Sequence, residues 1–362
     1  MAVETETSGA PGEDPDSAEK PSSPTQISKP SWSYVLRRTA HEFRRDECTD
    51  SAAVMTFFAV LSVFPALLAV VSLLGVVGQA EATAETLLRL LHEFGVPDQA
   101  VAVVEGPVRE LAGSPSAGLT LVTGLLGALW TASAYVRAFG RSMNRIYEVE
   151  EGRPFWKLYP LMVGITLLLV VLAVGMMLLL LLSGPVAERL GELVGLPGST
   201  LRLWQAARVP VMLALLAFMV VLLYSTTPNV RQPRFRWLGI GSVTAIAVMA
   251  AATAGFSYYV SSFGNFNATY GAIGGVIVLL LWIWIMNTVL LAGAEFNAET
   301  ERARQLQAGI AAEENLRLPP RDVRAARKLR QKEQELVEEG RDLRRRYADV
   351  DYREAAGPER PA

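Results

Sequence analysis

A single cysteine, Cys48, excludes a disulfide within the chain and any cysteine-based zinc site. Two histidines, His41 and His92, lie far apart and make no cluster. A metal nuclease or hydrolase needs gathered His, Asp or Glu to hold ions and activate water. No Gly-rich phosphate loop with Lys and Ser/Thr is present, and no nucleophile elbow. The expectation is therefore a protein that is not an enzyme and carries no cofactor or metal. Lysine is scarce too, with only Lys20, Lys29, Lys157, Lys328 and Lys332. With the heavy use of Ala, Gly and Arg, this composition suggests a high-GC bacterium. A cleavable signal peptide is not expected, because the start lacks a basic stretch followed by a short apolar run.

Charge is also missing from long stretches. From Gly271 to Ala294 there is no charged side chain. At about 1.5 Å per residue such a helix is roughly 36 Å long, enough to cross a bilayer core of about 30 Å. Across the chain 51% of residues are hydrophobic and 19% charged, which fits a polytopic membrane protein. The fold class read from this is all-α. Six transmembrane helices are expected, at about 52–78, 118–139, 158–182, 209–224, 238–260 and 271–294. Amphipathic helices outside the cytoplasm are expected in the connections, around Leu87–Phe94 and Val186–Val194. Residues 1–30, rich in Pro, Ser, Thr and Glu, read as a disordered tail. Residues 31–300 form the membrane domain, and Trp32–Glu47 begins it as a basic amphipathic helix on the membrane surface. Residues 301–362 form a charged, mostly helical cytoplasmic tail. Leu329, Leu336 and Leu343 recur there every seven residues, but between polar partners.

Orientation follows from basic residues near span ends. Fourteen fall on the side shared by both termini and the second–third and fourth–fifth connections, and five on the other. The excess places both termini in the cytoplasm.

Several residues stand out inside this frame. Pro65 falls within the first span and is expected to kink or break it. Gly271, Gly274 and Gly275 leave room for a neighbouring helix to approach closely. Trp282 and Trp284 read as packing against neighbouring helices. Asn287 is polar and deep: it either bonds another helix or lines a polar cavity. Glu295, the first charge of the exit, either meets water at the interface or lines the same cavity. Arg137 lies near the end of the second span and Arg141 and Asn144 just after it, and the two arginines are candidates to meet an anionic headgroup.

Four stretches carry a resemblance to a known family. They are AAVMTFFAVLSVFPALLAV; LWTASAYVRAFGRSMNRIYEVEEGRPFWK with Trp130, Asn144, Tyr147, Arg153, Pro154 and Trp156; LLYSTTPNVRQPRFRWLGIGS with Tyr224, Pro228 and Asn229; and the run from Phe256 through Gly293, Glu295 and Asn297. Together they resemble the YihY/virulence factor BrkB family of bacterial inner-membrane proteins, once misnamed ribonuclease BN. The resemblance covers roughly residues 32–300. It implies six spans in the cytoplasmic membrane and leaves the activity open between envelope integrity, serum resistance and lipid export.

Two functions are expected from these readings. One is a transporter or flippase for an amphiphilic envelope component, a lipid or lipid-like substrate. The other is a scaffold for envelope assembly, with a protein partner at the C-terminal tail. The bilayer is the common partner, and nucleic acid is not expected.

Overall fold

An apolar run in a bilayer must satisfy its own backbone, and a helix does this residue by residue. The computed structural model describes residues 20–21, 23, 26–76, 117–181, 197–231, 235–262 and 266–355. Its helices are α1 (Lys29–Arg45), α2 (Cys48–Val76), α3 (Ala117–Ile146) and α4 (Phe155–Leu181). They continue with α5 (Gly198–Thr226), α6 (Phe235–Ser262), α7 (Phe266–Gln307) and α8 (Arg324–Ala355). Among the described residues there is no strand, only an isolated antiparallel bridge between Val230 and Pro320. Four stretches are long and apolar enough to cross a membrane: Phe155–Met176, Leu203–Thr226, Gly241–Tyr259 and Val276–Gln307. Cys48–Ser62 is a shorter apolar helix. The chain is an all-helical polytopic membrane protein.

The pattern of exposure is inverted relative to a protein in water. Leu167, Val171, Leu213, Phe218, Val243 and Ile277 point outward. Such a surface matches a lipid environment. Buried within are Met55, Phe139, Met143, Tyr147, Tyr224 and Leu291. α2 lies along α3, and α7 touches α1, α2, α3 and α6, while α4 and α5 complete the circuit from α3 to α6. Pro160 and Pro210 sit inside α4 and α5 without ending them. The backbone also runs through Pro65 as one helix, so no break occurs there. The side-chain surroundings of Pro65, Gly271, Gly274 and Gly275 lie outside the described residues, as do both amphipathic segments expected in the connections.

The close helix approach on view is at the other end of α6 and α7. A Cβ on Gly293 would lie 2.6 Å from Tyr224 Oη and 2.7 Å from Ala245 Cβ. One on Gly241 would meet Asn297 Oδ1 at 2.1 Å. Tyr224 donates to the Leu290 carbonyl at 2.6 Å across this contact. The tryptophans divide: Trp284 donates its indole N–H to the Thr49 carbonyl at 3.1 Å, but Trp282 is exposed on the outer face. Successive helical positions two apart face different sides, so the two rings do not share a packed surface.

The expected boundary at residue 300 moves. α7 runs on to Gln307, and Glu299, Thr300, Glu301, Arg302, Arg304 and Gln305 are buried. The chain end of the N-terminal tail also rests here. Lys20 Nζ lies 3.3 Å from Glu301, Arg304 donates to the Pro21 carbonyl at 3.1 Å, and Gln307 donates to Gln26 at 2.7 Å. Ser28 then caps α1 through Ser31 N–H. α1 itself stacks Trp32 on Phe296 at 6.0 Å and buries Val35, so one of its faces is taken up by protein. α8 presents Leu329, Leu336 and Leu343 to solvent, as a solvated helix does.

Replacing Gly293 with Ala should destabilise the bundle by about 1–3 kcal/mol, because the new methyl overpacks the α5–α6–α7 contact. Gly255→Ala and Gly175→Ala meet no atom within 4 Å and should be neutral or slightly stabilising. Thermal unfolding of the three variants in one detergent separates the two cases.

Candidate functional site

Three polar assemblies are built from the helices, and they divide the residues singled out in the sequence. The first is a column along α7. Asn287 is buried and accepts from Tyr135 Oη on α3 at 2.9 Å. It donates to Thr56 Oγ1 on α2 at 3.1 Å. Asn287 is thus the interhelical bond among three helices. Two turns on, Glu295 is 1% exposed and faces the α1–α2 corner. Cys48 Sγ donates to its Oε1 at 3.5 Å, while Oε2 has no donor. Asp46 lies against it. Burial raises the Asp46 carboxyl above its usual value, and Glu42 and Glu148 add to this. A hydrogen bond with the Glu295 side chain and the charge of Arg145 oppose it. Two turns further, Arg302 binds both Glu299 oxygens at 3.1 Å, Glu148 at 3.0 Å and the Ala312 carbonyl at 2.9 Å.

The second assembly is a stripe of arginines on α3. Arg137, Arg141 and Arg145 follow at four-residue spacing, which places them along one side of the helix. Arg137 sits over the rings of Trp130 and Tyr159, at 5.2 and 4.9 Å, and donates to Ser133 Oγ. Arg145 pairs with Glu47 at 3.3 Å and donates to the Asp46 carbonyl at 3.0 Å. Arg141 lies between them in a cavity of about 330 Å³, lined also by Glu47, Asp50, Ser51, Val54, Ala138, Ser142 and Arg145. Beyond Val54, the exposed side chains of Phe57 and Leu61 continue the α2 surface from the cavity along the apolar face.

The third assembly is a knot of loops. Asn144 accepts from Asn229 N–H at 2.7 Å and donates to Glu151 at 2.9 Å. Asn229 donates to the carbonyls of Glu150 and Asp322. Arg153 clasps Glu151 at 2.7 and 2.8 Å and reaches the Thr227 carbonyl at 2.6 Å. Three segments distant in sequence are thereby joined: the α3–α4 connection, the α5–α6 connection and the chain before α8. Gly152 is required there, because a Cβ would fall 1.8 Å from the Asp322 carbonyl oxygen.

Glu295 and Asn287 thus share the column, Arg137 and Arg141 share the stripe, and Asn144 belongs to the knot. Sequence reading did not single out Asp46, Asp50, Tyr135 or Arg302 as site residues. For Tyr135 and Arg302 a signal existed, since both follow the buried face of their helices. Among the described residues, no three His, Cys, Asp or Glu converge on a metal position.

The knot gives an acid-sensitive contribution. Burial alone would raise the Glu151 carboxyl, but the hydrogen bonds and charge of Arg153, with Asn144, outweigh it and hold the pKa below the usual 4.5. The stabilisation is then full above that usual value and is lost as pH falls through the depressed one. Glu151→Gln should therefore flatten the fall in Tm between about pH 5 and pH 3 relative to the unaltered protein. A matched series of Tm against pH tests this.

The profile of the virulence factor BrkB family matches residues 39–316. A ribonuclease-like protein of Bacillus subtilis, YfkH, is 29% identical over 271 residues, covering 75% of this chain and 96% of that one. A UPF0761 membrane protein of Alkalilimnicola ehrlichii is 33% identical over 258 residues, 71% of this chain and 56% of that one. Another, of Aliivibrio salmonicida, is 28% identical over 286 residues, 76% and 85% of the two chains. No solved structure matches. The family match takes in the α3 stripe, the α7 column and the knot's two inter-helix connections, and the chain belongs to the virulence factor BrkB family.

Proposed function

We propose that the protein is a transporter or flippase for an amphiphilic envelope component and is not an enzyme. In this reading it spans the bacterial cytoplasmic membrane six times, with the end carrying the knot, and both termini, in the cytoplasm. The observation that carries it is the cavity between α2 and α3. Polar groups line its floor, Arg141 takes no carboxylate among the described residues, and Val54 leads out to the exposed Phe57 and Leu61. A headgroup enters such a cavity while its chains stay on the apolar face. Arg137, lying against the rings of Trp130 and Tyr159 one turn away, adds a second cation beside the route. The column supplies the buried carboxyl of Glu295 beside the same corner.

A second reading, a scaffold for envelope assembly, is favoured by the solvated face of α8, where Leu329, Leu336, Val337 and Leu343 are exposed. Residues 301–323 are built into the bundle end, so a truncation that removes only the tail begins after Arg330.

Reconstituted vesicles should exchange fluorescent phospholipid between leaflets faster than empty ones. Arg141→Gln should slow this by about tenfold, the cost of one charge-assisted contact, and Glu295→Gln should slow it as well. Truncation after Arg330 should leave the rate unchanged. Exchange no faster than in empty vesicles, with a protein partner lost on truncation, would move the assignment to the scaffold.

A further inference from the structure

The cavity between α2 and α3 carries charge of both signs. Its wall holds Arg141 and Arg145 and, facing them, Glu47 and Asp50. Arg145 and Glu47 are committed to each other at 3.3 Å. With that pair set aside, one cation and one anion remain among the described lining residues. Among the described residues Arg141 meets no carboxylate, and Asp50 accepts only the hydroxyl of its neighbour Thr49, at 3.4 Å. Asp50 stands in the first turn of α2, where the helix dipole favours an anion. Ser51 adds a hydroxyl at the same level.

A simple anion entering to reach Arg141 would face Asp50 and Glu47 across about 330 Å³ of space. A simple cation would face Arg141 and Arg145. A headgroup that carries a phosphate and an ammonium together meets both remaining partners and leaves no charge opposed. A quaternary ammonium is read by aromatic rings around it, and among the described residues the cavity wall contains none. A primary ammonium instead donates hydrogen bonds, which Asp50 accepts. Val54 at the rim, then Phe57 at 62% exposure and Leu61, provide an apolar path for acyl chains.

We infer that the cavity binds the zwitterionic headgroup of a phospholipid with a primary amine, phosphate on Arg141 and ammonium on Asp50. This rests on the reading of the cavity as the headgroup site, and it names the class of lipid that the site selects.

The test is native mass spectrometry of the delipidated full-length protein. It is offered equal amounts of phosphatidylethanolamine, phosphatidylglycerol and phosphatidylcholine with identical chains. The unaltered protein should retain phosphatidylethanolamine over the other two by about tenfold, the value of one charge-assisted contact. Asp50→Asn should bring it down to the phosphatidylglycerol level, and Arg141→Gln should lose both. Arg141→Lys should restore binding, which a merely misfolded cavity would not do. Equal retention of phosphatidylglycerol and phosphatidylethanolamine by the unaltered protein would overturn the inference. So would an Asp50→Asn variant with unchanged Tm and unchanged preference. Selective retention without leaflet exchange in vesicles would uphold the headgroup site and refute the transport reading.

Discussion

The guanidinium of Arg302 is the fixed point of this molecule. It is 1% exposed, beyond the apolar part of α7, in a place where neither water nor lipid can carry its charge. A buried charge is tolerable only with close partners and satisfied hydrogen bonds. Glu299 supplies the charge from one turn earlier, Glu148 from the α3–α4 corner, and Ala312 a carbonyl from the chain that follows. Glu148 adopts a left-handed backbone, φ 54°, and its other oxygen takes Leu316 N–H at 2.8 Å. One side chain therefore sets the direction of three segments. The length of α7 follows from it: the helix cannot stop at the last apolar residue, because its next three turns hold the partners that make the corner.

This explains which part of the architecture was legible in the sequence. Helices in apolar runs follow from composition alone: the third to sixth expected spans fall in α4, α5, α6 and α7, whose described stretches are long and apolar enough to cross a membrane, and in the first only the shorter apolar helix Cys48–Ser62 is found. Helical hydrogen bonds are as well satisfied in water as in lipid, so hydropathy marks the membrane and not the helix. The packed bundle end was not legible. Its bonds join Arg302 to Glu148, Lys20 to Glu301 and Asn229 to Asn144, pairs separated by tens to hundreds of residues. Read locally, each of those charges is an ordinary solvated residue, and residues 301–323 look like the start of a tail.

The candidate site was legible one member at a time. Asn287 announced itself as a polar residue within an apolar run, and three helices do meet on it. Arg141 stood out as a cation at a span end. Its counterparts did not, since Asp50 at a helix start looks like a dipole-favoured surface acid. Arg137 and Trp130 are seven residues apart on one helix, so their contact follows from periodicity, but Tyr159 comes from the next helix and only packing brings it there.

The column and the cavity are not independent, because both are built on the corner between α1 and α2. Asp46 faces Glu295, and Glu47, next in the chain and left-handed at φ 51°, faces Arg145. Arg145 holds both residues at once, the carboxylate of Glu47 and the carbonyl of Asp46. A left-handed non-glycine residue costs of order 1 kcal/mol and persists only where its surroundings hold it. Here the holding group is a wall of the cavity. The same few atoms thus fix the position of a buried carboxyl on one side of α2 and the shape of a charged pocket on the other. Two polar sites that look separate on the sequence share a single backbone hinge.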